Sequence, residues 1–139
     1  MNRGPTLLDT GPLVSFLASD LRHHAWALRQ WKLIRPPMLT CEPVIAEAAF
    51  LLKREGKEAD LLFELLERGV IRIELSLQAE RADLRALMHR YRNLPMSLAD
   101  ACLVRLSELH ANAKVFTLES DFRIYRRHGN KVIPVLLPD

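Results

Sequence analysis

Short apolar runs alternate along the chain with longer stretches of helical periodicity. Thr-Leu-Leu-Asp at 6–9 reads as a buried strand ended by Thr-Gly-Pro. Pro12 suits the first turn of the helix expected over 13–19, where no amide donor is needed. A second helix is expected over 21–34, with Trp26 and Trp31 in it, and Arg35-Pro36-Pro37 stops it. A strand at 38–40 follows, and Pro43 opens a helix over 44–55 that Gly56 terminates. Leu61, Leu62, Leu65 and Leu66 form one face of a helix over 58–68, ended by Gly69. The remaining pattern predicts a β-rich stretch at 70–74, helices over 77–91 and 97–110, a strand at 115–118, a short helix over 121–127 and a last strand at 132–136. Strands alternating with helices predict an α/β fold, a three-layer sandwich whose central parallel sheet of about five strands is flanked by helices. One domain over 1–139 is expected, with no internal repeat or linker.

Composition narrows the class. Apolar residues make up 49% and charged residues 27%, ordinary values for a soluble globular protein. No apolar run approaches the roughly 20 residues of a membrane span. The N-terminal apolar stretch is broken by Asp9, Gly11 and Pro12 and has no small-residue cleavage site, so no signal peptide is expected. Two cysteines, Cys41 and Cys102, give no disulfide framework and fit a reducing, cytoplasmic setting. His23 and His24 are adjacent and diverge on a helix, which argues against zinc. The net charge of +3 is mildly basic and favours a nucleic-acid partner. Arg81, Arg85, Arg90 and Arg92, and then Arg123, Arg126, Arg127 and Lys131, are candidate phosphate contacts or ordinary solvated faces.

Four acids stand where expected elements begin or end: Asp9, Glu47, Asp100 and Asp121. Ligands of open parallel sheets bind beyond the carboxyl ends of the strands, near a switch in strand order. Asp9 ends the first expected strand, Glu47 lies one turn into the helix after the second, and Asp121 closely follows the fourth. Carboxylates converging on one edge repel one another unless a cation lies between them, which points to Mg2+ or Mn2+ and to phosphate-ester chemistry. Each acid also has a bland reading. Asp9 before Thr-Gly suits a turn or cap. Asp100, three residues after Ser97, completes a capping box. Ser120 and Asp121 suit a cap for the short helix. Glu47 has mostly apolar helical neighbours, so its charge there is costly unless paired or metal-bound. Glu119 competes with Asp121 for the metal-facing role, and Thr117 suits a hydrogen bond to a carboxylate or a bound water. Asp-Thr-Gly is also the aspartic-protease triplet, but those enzymes are β-rich and need a second such carboxylate. An Asp-x-Asp phosphatase fails because the second acidic position here is Gly11.

The ordered motifs Leu-Leu-Asp-Thr-Gly-Pro-Leu, Thr-Cys-Glu-Pro-Val-Ile-Ala-Glu-Ala-Ala-Phe-Leu-Leu, Ser-Leu-Ala-Asp-Ala-Cys-Leu and Phe-Thr-Leu-Glu-Ser-Asp-Phe resemble those of the PIN-domain ribonucleases, most of all the toxin subunits of VapBC toxin–antitoxin modules. The resemblance runs from about Leu7 to Val135. It maps the family's acids onto Asp9, Glu47 and Asp100, with Thr10 as the small hydroxyl residue after the first. The fourth motif departs from the family's Thr-x-Asp-x-(Asp/His)-Phe, because its first acidic position is Glu119 and its second Asp121. Asp121 is taken as the ligand, with Glu119 as the longer-armed alternate. The resemblance implies a metal-dependent endoribonuclease using Mg2+ or Mn2+, an RNA substrate, a homodimer and a cognate antitoxin laid across the groove. The apolar helices around Leu13–Leu17 and 61–66 suit such a partner surface or the core. Two other readings stay open: a catalytically silent RNA-binding or regulatory protein, and a nuclease of RNA maturation outside any toxin module.

Overall fold

The computed structural model describes residues 4–139, so that residues 1–3 of the expected domain lie outside the described residues. Five short strands form one parallel sheet: β1 (Thr6–Leu8), β2 (Met38–Thr40), β3 (Ile71–Ile73), β4 (Lys114–Phe116) and, last in the chain, β7 (Val135–Leu136). Their spatial order is β3-β2-β1-β4-β7. Leu7 pairs with Leu39 on one side and with Val115 on the other. The chain therefore builds outward from β1 in one direction and returns to add β4 on its other side. That reversal lies at the carboxyl ends of β1 and β4, where sheets of this kind leave a crevice.

Six helices flank the sheet in a three-layer arrangement: α1 (Thr10–Leu17), α2 (His24–Leu33), α3 (Glu42–Arg54), α4 (Asp60–Glu67), α5 (Arg81–Arg90) and α6 (Leu98–Leu109). β1 is buried on both faces, which explains why its sequence is an apolar run and not an alternation. Leu7, Leu8, Val115 and Phe116 of the strands meet Leu103 and Leu106 of α6 in the core. Leu13 and Val14 are also buried there, as are Leu62 and Leu65 of α4, so core packing accounts for most of both apolar helix faces. Phe63, on the outer side of α4, is exposed. Cys41 and Cys102 are free and buried. Among the described residues no helix is long and apolar enough to cross a membrane.

Several boundaries differ from the sequence pattern, the strand expected over 132–136 being split between residues 131–132 and β7, and three of the differences show their cause. α2 begins at His24 and not at Leu21, because Leu21 N bonds Ala18 O and His24 N bonds Leu21 O in successive tight turns. His24 Nδ1 then lies 2.8 Å from the Ser15 carbonyl, one of the acceptors left over at the end of α1. α5 starts at Arg81 because residues 76–80 form a turn in which Ser76 Oγ accepts from Ala79 N. The helix expected over 121–127 is a single 3-10 turn, Ser120–Arg123, followed by an antiparallel hairpin of β5 (Arg126–Arg127) and β6 (Lys131–Val132). His128 and Gly129 take φ of 50° and 84° in its loop, which glycine at the second position makes easy.

Candidate metal centre

The end of β1 delivers Asp9 to the crevice. Asp9 is the N-cap of α1, and its Oδ1 accepts from Thr10 N at 2.7 Å. Its Oδ2 accepts from the Thr117 hydroxyl, also at 2.7 Å. Thr117 Oγ1 in turn accepts from Glu119 N at 2.9 Å, which leaves the hydroxyl proton committed to Asp9. Gly11 allows the 117–119 segment to lie this close: a Cβ there would stand 2.9 Å from Cγ and Cδ1 of Leu118. One hydroxyl thus ties the strand-end carboxylate to the loop that carries Glu119.

Asp100 enters from the start of α6. Ser97 and Asp100 form the capping box, with Asp100 N donating to Ser97 Oγ at 3.0 Å and Ser97 N donating to Asp100 Oδ2 at 3.3 Å. The Tyr125 hydroxyl also donates to Oδ2, at 3.0 Å. Glu119 stands at the entrance of the 3-10 turn, where its side chain makes no capping bond. One carboxylate oxygen from each of Asp9, Asp100 and Glu119 lies within 4.8 Å of the other two.

Glu47 and Asp121 are placed around this triad. Glu47 is exposed on α3, and its Oε2 accepts from the Thr10 hydroxyl at 3.1 Å. Its charge still reaches Asp9. Asp121 lies in the 3-10 turn, half-buried, with its backbone carbonyl taking Ile124 N and Tyr125 N, and its charge acts on Glu119. Asp9, Asp100 and the alternate Glu119 are thus brought together, Glu47 is joined to them through Thr10, and Asp121 borders them.

The electrostatics follow from burial and crowding. Burial lifts the Asp9 carboxyl from 3.8 to about 6, against the hydrogen bonds from Thr117 and Thr10 and with help from the charges of Asp100 and Glu47. Asp100 is raised by burial as well, opposed by hydrogen bonds from Ser97, Tyr125 and Glu119. Glu119 is open to water as a residue, yet its carboxylate turns in against the others. Desolvation there, followed by the charges of Asp9, Asp100 and Asp121, carries it to about 8. Among the described residues the ion pairs join Arg72 to Glu74 and Arg105 to Glu80, Asp83 and Glu108, none of them at this site. The groups that donate hydrogen bonds to the triad from around it, Thr10 N, Ser97 N and the Thr117 and Tyr125 hydroxyls, are neutral. They orient the carboxylates and leave their repulsion standing.

Tyr125 is the residue at this cluster that periodicity alone does not reveal. Phe122 and Tyr125 stand three apart, a spacing that signals a shared buried face but not the carboxylate partner. Of the candidate phosphate contacts, Arg126 is turned onto the carbonyls of Arg123, Ile124 and Tyr125, Arg90 bonds the Gly129 carbonyl, and Arg123 and Lys131 are exposed.

A parallel α/β sandwich that gathers carboxylates at the switch point of its sheet is the architecture of an acidic, oxygen-donor metal site. The PIN domain model matches residues 6–127, and the chain belongs to the PIN domain family. PIN domains are generally nucleases that act on nucleic acid with divalent metal ions held by acidic residues, and the acidic cluster here fits that use. A search of curated proteins finds no match.

Proposed function

We propose that the protein is a divalent-metal-dependent endoribonuclease and the toxin of a toxin–antitoxin pair. The observation that carries the catalytic part is the convergence of Asp9, Asp100 and Glu119 oxygens within 4.8 Å, from three separate segments and with no cationic side chain among the described residues paired to them. The donor set fits the ion: all three groups are hard, anionic oxygen ligands, which suit Mg2+ or Mn2+ and give zinc none of its preferred nitrogen or sulfur donors. Asp9, Asp100 and Glu119 would hold the cation, with Glu47 and Asp121 at the margin for a second ion or for coordinated water. A bound divalent cation supplies positive charge for the phosphate in the transition state and makes water more acidic.

The protein's own part is orientation. Thr10 N and the Thr117 hydroxyl fix both oxygens of Asp9, and each oxygen retains a further lone pair. Exposed Arg123 and Lys131, on the segment that follows Glu119, would meet the RNA backbone. The toxin role, with a homodimer and an inhibitory antitoxin, draws its support from the likeness to VapBC toxins.

The test is cleavage of a mixed RNA pool by the purified protein in Mg2+ or Mn2+, in EDTA, and with Asp9→Asn. Discrete cuts that require both metal and Asp9 are expected. Cleavage retained by Asp9→Asn would overturn the site, and RNA bound but never cut would leave a binding protein. Induced expression is expected to arrest growth in a way that co-expression of a small neighbouring gene relieves; harmless expression of active nuclease would remove the toxin role.

A further inference from the structure

We infer that Tyr125 is a positioning residue for the metal centre: its hydroxyl locks the rotation of the Asp100 carboxylate and ties it to the segment that carries Glu119. The inference rests on the metal reading above. Tyr125 has no exposed surface, so its hydroxyl must find a partner inside the protein, and that partner is Asp100 Oδ2 at 3.0 Å. The ring is clamped edge-on by Tyr91, at 5.1 Å between centroids, and by Phe122 at 5.3 Å. Tyr91 is fixed in its turn, since its hydroxyl accepts from Arg126 N at 2.9 Å. The hydroxyl is thus presented by a rigid aromatic cluster and not by a mobile arm.

The connection matters because of what lies at its two ends. Tyr125 N bonds the Asp121 carbonyl at 3.1 Å, so the ring belongs to the same turn that Glu119 enters. Asp100 belongs to α6, a separate element of the chain. One hydrogen bond therefore joins Asp100 to the segment that carries Glu119, as Thr117 joins Asp9 to that same segment. Of the other donors, Ser97 N is longer at 3.3 Å and comes from the helix's own cap, so it fixes no distance to Glu119, and the Glu119 carboxyl, which also bonds Asp100, would give up that bond to an ion. Without the tyrosine hydroxyl the carboxylate regains torsional freedom. Residues that orient a metal ligand from behind typically control metal affinity by about 10- to 100-fold.

The measurement is direct Mn2+ binding, followed by the electron paramagnetic resonance signal of free Mn2+, on the wild type, Tyr125→Phe and Tyr91→Phe, with thermal unfolding of each alongside. Both variants keep their rings and lose one buried hydroxyl, but only Tyr125 touches Asp100. Tyr125→Phe is expected to weaken Mn2+ binding by about 10-fold or more, with Tyr91→Phe close to wild type at a similar loss of thermal stability. Equal Mn2+ affinity in wild type and Tyr125→Phe would overturn the positioning role while leaving the metal centre intact. Equal weakening in both variants would also overturn it, because that is what general loosening of the aromatic cluster produces. A wild type that binds no Mn2+ would overturn the metal reading itself and this inference with it.

Discussion

Asp9→Asn should make the metal-free protein more stable at pH 8 while removing metal-dependent cleavage. Asp9 is 3% exposed and its carboxyl is raised from 3.8 to about 6, principally by burial. The folded protein therefore holds this proton more tightly than the unfolded chain. The associated stability is fully present below the unfolded value of 3.8 and is lost as pH rises through about 6. At about 1.4 kcal/mol per tenfold difference in proton affinity, the loss at pH 8 is about 3 kcal/mol. Asparagine carries no charge and keeps an acceptor for Thr10 N. Its amide faces Thr117 Oγ1, which already accepts from Glu119 N, so the threonine proton loses its acceptor at a cost of about 1 kcal/mol. The net is a gain of about 2 kcal/mol at pH 8, or roughly 5 °C in Tm. At pH 4 the variant falls below the parent by less than about 1 kcal/mol, because Asp9 is then protonated in the folded state. Urea and thermal unfolding of both proteins in EDTA, at the two pH values, read the difference. A variant less stable than the parent at pH 8, or a gap that does not change with pH, would refute the reasoning.

Glu119→Gln and Asp121→Asn separate the two candidates for the fourth acid: with Glu119 in the triad, Glu119→Gln should weaken Mn2+ binding at least 10-fold and Asp121→Asn by much less, read by the same resonance titration. Thr117→Val removes the donor to Asp9 and the acceptor for Glu119 N together, and should cost about 2 kcal/mol in urea unfolding and push the Asp9 carboxyl above about 6. Gly11→Ala drives a methyl group against Leu118, with an expected loss of about 1–3 kcal/mol from overpacking and weaker Mn2+ binding through displacement of the 117–119 loop. Metal uptake should release protons, because Asp9 at about 6 and Glu119 at about 8 compete for it. Affinity then rises between pH 6 and 8, and calorimetry in buffers of different ionisation enthalpy counts the protons released; an affinity flat across that range would contradict the crowding of these acids.

Much of the frame was legible because the strands are buried on both faces and read as bare apolar runs, as Thr6–Leu8 and Met38–Thr40 do. Placing Asp9, Glu47 and Asp121 near one rim needed only the order of strands and helices, whereas Asp100 joined them through the family resemblance. The fine geometry was not legible. The pair Thr117 and Asp9 is separated by 108 positions, and Thr10 and Glu47 by 37, distances over which periodicity carries no information. The segment after Glu119 has the spacing of a helix, but Tyr125 is drawn inward to Asp100 and the Arg126 side chain folds back on the carbonyls of residues 123–125. Those tertiary bonds end the 3-10 turn and release the chain into the hairpin. The same turn decides that the Glu119 oxygen, and not one from Asp121, reaches Asp9 and Asp100.

The capping and metal readings of these acids are compatible, and the structure explains why both arise. Asp9 caps α1 and Asp100 completes the box at α6, so each satisfies backbone donors that a helix leaves over. A cap, however, needs no partner carboxylate, and neutral asparagine or serine serves it equally well. Three carboxyl groups within 4.8 Å, two of them buried, impose a mutual repulsion that capping does not require. Glu119 sharpens the point, because it starts the 3-10 turn without capping it and its carboxylate is spent wholly on the cluster. The fold eases that repulsion by holding protons on these groups to higher pH than usual, with Glu119 keeping its own through neutral pH. A divalent cation would displace those protons and convert the same crowding into attraction, so caps that position the acids also set the strength with which they would hold the ion.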